Sequence, residues 1–480
     1  MNQATVSLVK RLAYAALSAA ALILQSHLVS AQEKPKAVVA DYEKWFAECS
    51  NAKPDFKPGD TLTVSDLGRM RCFVPPAYLD QLNFPEFKTK IVEPIPHLPS
   101  KAYSECTEKY ANQVKLAADG ALQNYTCGQP FSNSSLDPKD PNSGVKAGWD
   151  FMRLFWGRGF IDLNWDMNYT FFGGLHSSSN MAIPDPVPRD LLVPDLQWST
   201  PFPSESQIAE YHGGGGATVR STMAFYSRLY LAHLAEFNGG SLPIPGGEDY
   251  DYKNLTLFYF PFDVRGTAFI IFRHWDPHLA DDAWAYIPAL RRVRRISAEE
   301  KSDALLGSDI TFDDFDGLND RVLNWDWKFL GFMKIMAIHD PTHYVHWFGP
   351  NGNIPDDERS VKTCAVTVRM PRNPRHPYSA VINFWDADDW TVRYMIMFDR
   401  AGKLWKVMEW EYKYSETFSP GFWYNENHGA MHSIWWDVSA IDVQNHRSSV
   451  LQQYGPIMNG ITPQIVQVET DISNLERVHR

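Results

Sequence analysis

Three histidines, His339, His343 and His346, are spaced four and three residues apart, which on a helix would stack three imidazoles on one face and let them share a metal ion. Asp340-Pro341 interrupts the run. Proline removes a backbone donor and clashes with the preceding turn, and Tyr344–Phe348 reads as strand, so no metal site is expected. His274 and His278, with Asp276, Asp281 and Asp282, fare no better. The stretch Asp313-Asp314-Phe315-Asp316-Gly317-Leu318-Asn319-Asp320 is rich in carboxylates but lacks the ordered spacing and closing Glu of an EF-hand loop. A capping or turn role is expected there. No Gly-x-Ser-x-Gly elbow supplies a nucleophile. Carboxylate pairs such as Glu409/Glu411 and Asp388/Asp389 carry no separation that would sort them into acid and base. His212-Gly213-Gly214-Gly215-Gly216 lacks the Lys-Ser/Thr ending of a phosphate loop. No catalytic residue, metal or cofactor is therefore expected, and the reading is of a protein that is not an enzyme.

Other residue types point to binding and structure. Arg291, Arg292, Arg294 and Arg295 flank Val293 on one short strand, with Arg291, Val293 and Arg295 sharing a face. Guanidinium–carboxylate pairing to Asp309, Asp313 or Asp314 would hold the following loop against the sheet edge. The competing use is to hold an anionic headgroup or a partner protein at a rim. Cys49, Cys72, Cys106 and Cys127 fall in one N-terminal region, without the Cys-x-x-Cys spacing of a zinc site. They are expected as two disulfides in one of three pairings. Cys364 stands apart and is expected as a small buried hydrophobe.

The elements that must position these residues are mostly strands. Alternate residues of Trp327-Lys328-Phe329-Leu330-Gly331-Phe332-Met333-Lys334-Ile335-Met336-Ala337 give an apolar row of Trp327, Phe329, Gly331, Met333, Ile335 and Ala337. Leu404–Tyr414 places Leu404, Met408, Trp410, Tyr412 and Tyr414 on one side. Further strands are expected from Leu255 to Val443, joined by hairpins and without long helical periods, so the sheet should be antiparallel. Helices are expected near Val39–Ala47, Ser104–Ala118 and Ala217–Glu236. The aromatic run Gly148–Gly174 should pack on the sheet or over its mouth, as a lid or plug.

Composition narrows the class. A net charge of −12 argues against nucleic acid, whose phosphates need a basic surface. Lys10 and Arg11, the apolar Leu12–Leu24 and Val29-Ser30-Ala31 read as an export signal over residues 1–31. Its removal takes away two positive charges and leaves about −14. The expected organisation is a signal at 1–31, a disulfide-stapled segment at 32–147, a lid or plug region at 148–250, a curved sheet at 251–455 and an extension at 456–480.

Several pieces taken in order resemble one family. They are Val264-Arg265-Gly266-Thr267, the hairpin Trp284–Arg295, Ser308-Asp309-Ile310-Thr311-Phe312-Asp313-Asp314-Phe315-Asp316-Gly317, Trp325–Gly331 and Asp399–Val407, preceded by Leu242-Pro243-Ile244-Pro245. Over roughly residues 238–455 the chain resembles the DUF1329 family, exported proteins of Gram-negative bacteria related in fold to the lipoprotein carriers LolA and LolB. The resemblance implies an α+β, mainly β fold: a half-open antiparallel β-barrel with a helical lid or plug. It also implies a periplasmic or outer-membrane-associated place beside envelope transport machinery. Taken together, the reading is of a carrier that shelters a hydrophobic small molecule or lipid. Phe269, Trp327, Phe329, Met333, Ile335, Trp410 and Tyr412 would line its site, and membrane contact would be peripheral at most. The alternatives are a non-catalytic partner of an outer-membrane or efflux-system protein, and a hydrolase acting on an envelope component.

Overall fold

The structure is a computed structural model that describes residues 36–97, 99–153, 160–171, 217–241, 246–260, 262–297, 302–339, 341, 347–414, 423–425, 433–459, 471–473 and 475. The expected export signal, His343, His346, the glycine run after His212 and Leu242–Pro245 lie outside these residues.

From Phe160 onward, β-branched and aromatic residues favour extended backbone. Fourteen strands join one sheet: β1 (Phe160–Phe171), β2 (Ala217–Tyr230), β3 (Tyr250–Phe260), β4 (Ala268–His274), β5 (Asp282–Ile287), β6 (Arg292–Ile296), β7 (Trp325–Ala337), β8 (Ser360–Pro371), β9 (Tyr378–Asp386), β10 (Val392–Asp399), β11 (Leu404–Tyr414), β12 (Trp423–Asn425), β13 (Ser433–Asp442) and β14 (Arg447–Asn459). Their spatial order is β6-β5-β4-β3-β2-β1-β14-β13-β11-β10-β9-β8-β7, antiparallel throughout, with β12 running parallel to β14. β6 and β7 are the edges and do not pair, so the sheet is open rather than closed into a barrel.

Topology explains how one face is covered. The chain leaves β6 at one edge and enters β7 at the other, so residues 297–324 must cross the sheet from edge to edge. We call this segment the strap. Its described residues include short 3-10 turns at Leu305–Gly307, Phe312–Gly317 and Val322–Asn324. Its contacts also reveal the curvature. Phe312 meets Phe269 of β4 at 5.1 Å between ring centroids, while Asp314 accepts a hydrogen bond from Tyr378 of β9 at 2.8 Å. β4 and β9 are eight strand intervals apart, about 38 Å in a flat sheet. Two residues of extended chain cover about 7 Å. The sheet is therefore rolled around the strap.

The opposite, outer face is covered by the N-terminal segment. Cys49 is bonded to Cys72 and Cys106 to Cys127, the sequential pairing among the three possible. Each loop, of 23 and 21 residues' separation, is worth about 3 kcal/mol on the chain-entropy account. Helix α1 (Lys36–Cys49) and the turns after it bring Tyr42, Phe56, Met70, Phe73, Tyr78, Phe84 and Phe87 against Ile382, Phe384, Tyr394, Ile396 and Phe398. Helix α2 (Lys101–Tyr110) starts at Ser100, whose hydroxyl accepts from the Tyr103 amide at 3.2 Å. Helix α3 (Ser143–Met152) lies on β7, where Gly144 and Gly148 let its backbone approach Trp327. Cys364 is buried and free.

Several expectations need correction. Ala217–Tyr230 is strand, not helix. Thr218, Val219 and Thr222 lose side-chain freedom in a helix, and Thr222, Ala224, Tyr226 and Arg228 are buried with a period of two. The aromatic run does not form a separate lid: of its described residues, Gly148–Met152 end helix α3 and Phe160–Phe171 form β1, which pairs β2 and β14 at mid-sheet. The expected Ser104–Ala118 helix stops at Tyr110, and Lys115–Leu116 instead pairs with Leu122–Gln123. The unbroken row on β7 is split by a bulge: Phe329 opposes Thr367 while Gly331 opposes Val366, leaving Leu330 as the extra residue.

Candidate functional site

Among the described residues, the face enclosed by the strap is the most aromatic. Trp325, Phe329, Trp385, Trp390, Trp410, Tyr412 and Trp435 are buried there with Phe151 of α3, and Phe269 and Trp327 are partly buried beside them. The strap delivers Leu305, Ile310, Phe312, Phe315 and Leu318 into their midst. Phe315 stacks near Tyr226 at 6.1 Å and meets Trp435 edge-on at 6.3 Å. Of the seven expected lining residues, Phe269, Trp327, Phe329, Trp410 and Tyr412 are brought to this face. Met333 and Ile335 are not: beyond the bulge at Leu330 they point outward into the layer under the N-terminal segment.

Polar anchors tie the strap down along its length. Arg447 Nε and Ser449 Oγ of β14 donate to Asp309 at 2.5 and 2.8 Å, and Lys406 Nζ donates to the Asp309 carbonyl at 2.7 Å. Burial pushes the Asp309 carboxyl up, against the pull of Arg447, and pushes the Lys406 ammonium down. Asp316 pairs with Arg228 of β2 at 2.7 Å, and Asn319 accepts from Arg228 Nη2 at 3.1 Å and from the Tyr252 hydroxyl at 2.6 Å. Arg369 donates to the Gly317 carbonyl at 3.1 Å; burial away from any paired carboxylate lowers its guanidinium to about 10. Beside these groups a small cavity, with about 20 Å³ open to the centre of a water molecule, is lined by Arg228, Tyr252, Arg273, Asp316 and Phe151 among others. That is room for a single water.

The arginine–aspartate expectation is corrected here. Asp309 is held by Arg447 rather than by the β5–β6 hairpin, Asp314 binds Tyr378, and Asp313 accepts from Ser302 at 2.7 Å. Arg292 to Arg295 sit on the edge strand and Arg291 in the turn before it, away from the mid-sheet positions the strap has reached; Arg295 pairs with Asp282 on the neighbouring strand. Sequence reasoning missed Arg228, Arg369 and Arg447. Their partners are distant in the chain, and only the spaced apolar residues of Ile310–Leu318 hinted that the acidic loop was a core piece.

The remaining chemistry-bearing residues are bound up in structure. His339 Nδ1 is 3.1 Å from Asp386 Oδ2, which also receives Lys362 at 2.8 Å and Arg393 at 3.2 Å. Burial and the Arg393 charge lower His339 to about 3, so its ring is neutral. His274 contacts Asp282 at 2.8 Å, and Asp281 binds both Arg273 and Arg321. Among the described residues no group of three or more His, Cys, Asp or Glu is arranged to hold a metal.

Gly317 is the tightest point of the strap. It has φ +91°, and a Cβ there would stand 2.6 Å from Val392 Cγ1. Gly317→Ala is expected to cost more than about 1 kcal/mol in urea unfolding. An unchanged midpoint would mean that the strap yields at this residue.

Fold and site together define a rolled, open antiparallel sheet wrapped around an internal strap. The chain belongs to the DUF1329 family, described as protein of unknown function, which matches residues 206–456. Similar solved structures include a domain described as an outer membrane lipoprotein-sorting protein from Vibrio parahaemolyticus, with 16% identity, 70% of this chain and 100% of that chain covered, and a TM-score of 0.40. A DUF1329 family protein from Desulfovibrio piger has 16% identity, the same coverages and a TM-score of 0.39. A LolA superfamily protein from Nitrosomonas europaea has 11% identity, coverages of 65% and 91%, and a TM-score of 0.32. No curated protein shows a significant match to the chain. No helix among the described residues is long and apolar enough to cross a membrane.

Proposed function

We propose that the protein is an exported, non-catalytic carrier that shelters a hydrophobic, lipid-like or aromatic compound on the strap face of its sheet, in the periplasm and beside envelope transport machinery. One observation carries this reading: away from helix α3 at its β7 end, the aromatic face is covered by an irregular strap rather than by a second sheet. The strap's Phe312, Phe315 and Leu318 stand where a ligand would, so the structure corresponds to a closed form. Irregular segments open at lower cost than packed strands. A ligand contact of about 300 Å² would return about 7 kcal/mol of gross burial energy, before the costs of binding and of lifting the strap.

The test is binding of a fluorescent lipid probe, with solvent extraction of the purified protein. Saturable probe binding that is lost when a disulfide ties the strap to β14 supports the carrier. No probe bound and no compound extracted would overturn it. A second reading, a non-catalytic partner of an outer-membrane or efflux-system protein, is favoured by the strap's own Leu305, Ile310, Phe312, Phe315 and Leu318 packing into the aromatic face. That reading expects the tethered and untethered proteins to behave alike.

A further inference from the structure

Three large hydrophobic side chains exposed among the described residues gather at one end of the sheet's β6 edge, while Phe237 and Leu279 lie in turns at the other end. Phe262, in the turn between β3 and β4, is 89% exposed. Ile287, at the end of β5, and Leu290, in the turn to β6, are 36% and 44% exposed. Register places the two turns side by side, since Leu257 opposes Ala268, Ala268 opposes Tyr286, and Tyr286 opposes Val293. Arginines surround them: Arg265 in the first turn, Arg291 in the second, and Arg292, Arg294 and Arg295 running back along β6, all exposed. Among the described residues their acidic neighbours are Asp263 and Asp282, and Asp282 is engaged by Arg295 and His274. On a chain of net charge −12 this corner is a local reversal of sign.

Single exposed apolar residues need no explanation. Three of them on adjoining turn tips, backed by Arg265, Arg291, Arg292 and Arg294 beside the Asp282-paired Arg295, do. We propose that this corner docks the protein on an anionic lipid bilayer, with Phe262, Ile287 and Leu290 entering the interface and the arginines contacting the headgroup phosphates. The order of groups matches the order of layers in a membrane leaflet. The apolar side chains are outermost. Arg291 and Arg292 follow at the tip, and Arg294 and Arg295 lie about 7–13 Å further along the strand. The headgroup zone of a leaflet is about 5–8 Å deep, and charges beyond it still act within a Debye length of about 10 Å. Guanidinium forks suit phosphate oxygens. A purely acidic protein partner would use the arginines but would leave the protruding phenyl ring without a role. The inference is independent of whether the strap face holds a ligand.

Co-sedimentation of the full chain with vesicles tests it. Phosphatidylethanolamine–phosphatidylglycerol vesicles are expected to bind the protein at low salt, and phosphatidylcholine vesicles are not. Each arginine reversed in R291E/R292E/R294E should weaken binding about fivefold. F262S/L290S should weaken it at both low and high salt, because its loss is apolar. All these positions are exposed, so melting temperatures should stay at the parent value. Absence of binding to the anionic vesicles, or full binding by R291E/R292E/R294E, would overturn docking. Binding that F262S/L290S leaves intact would overturn insertion of the tips.

Discussion

Arg359→Leu is expected to lower stability by about 3–5 kcal/mol, a large share of what holds an ordinary domain folded. Arg359 and Glu409 are both buried and form a two-pronged pair, with Arg359 Nη2 3.0 Å from Glu409 Oε2. Tyr394 donates to the other carboxylate oxygen at 2.7 Å, and Tyr78 of the N-terminal segment also donates to Glu409. Burial raises both phenols, and the Glu409 charge raises them further, so they stay as donors. Removing the cation leaves a carboxylate in a dry layer with two hydroxyls for company. The double variant R359L/E409L should recover much of the loss, because replacing both members of a buried pair is far less costly than orphaning one. Urea unfolding of the two variants checks this. A single variant as stable as the parent, or a double variant worse than the single, would refute the account.

The second large effect lies one step along the same strands. Glu411 of β11 and Asp437 of β13 are directly opposite and fully buried. None of their four carboxyl oxygens has a hydrogen-bond donor among the described residues. A proton shared between them would pair the two groups. Burial, then repulsion from Asp437, pushes Glu411 well above the usual carboxylate range, and burial likewise raises Asp437. A carboxyl raised on folding binds its proton more tightly in the folded state. Its stabilising contribution is therefore complete below the unfolded value near 4, and is lost as pH rises through the raised folded value. Glu411→Gln or Asp437→Asn fixes the neutral state. At pH 8 either is expected to be more stable than the parent by on the order of 1–3 kcal/mol, the cost of an unpaired buried polar group. The advantage should shrink toward pH 4. Equal stabilities of variant and parent at both pH values would refute the shared proton.

The strand content from Leu255 onward was legible because period-two patterns are local. The faces were not. Trp327, Phe329, Met333 and Ile335 make one row on paper, yet a single extra residue at Leu330 sends the last two to the opposite side. The surplus of apolar side chains was real, but much of it faces outward and is covered by Tyr42, Phe73, Tyr78 and Phe84. That pairing is long-range, and no spacing rule announces it. Ala217–Glu236 was expected as helix, whereas pairing with β1 and β3 makes Ala217–Tyr230 a strand. The strap itself was visible only as an acidic motif. Its role follows from β6 and β7 lying at opposite edges, a fact of topology rather than composition.

The order of strands also bears on how the chain is made. Consecutive hairpins build two half-sheets, β1 to β6 and β7 to β14, and these are sewn together by the seam between Phe160–Phe171 and Arg447–Asn459. Ribosome or translocase delivers the second of these partners last, hundreds of residues after the first. Until it arrives, each half presents a raw backbone margin in the middle of the future molecule, the kind of border that invites mispairing with other chains. Maturation should thus be slow, governed by a late zippering step, and dependent on escort of the newborn polypeptide.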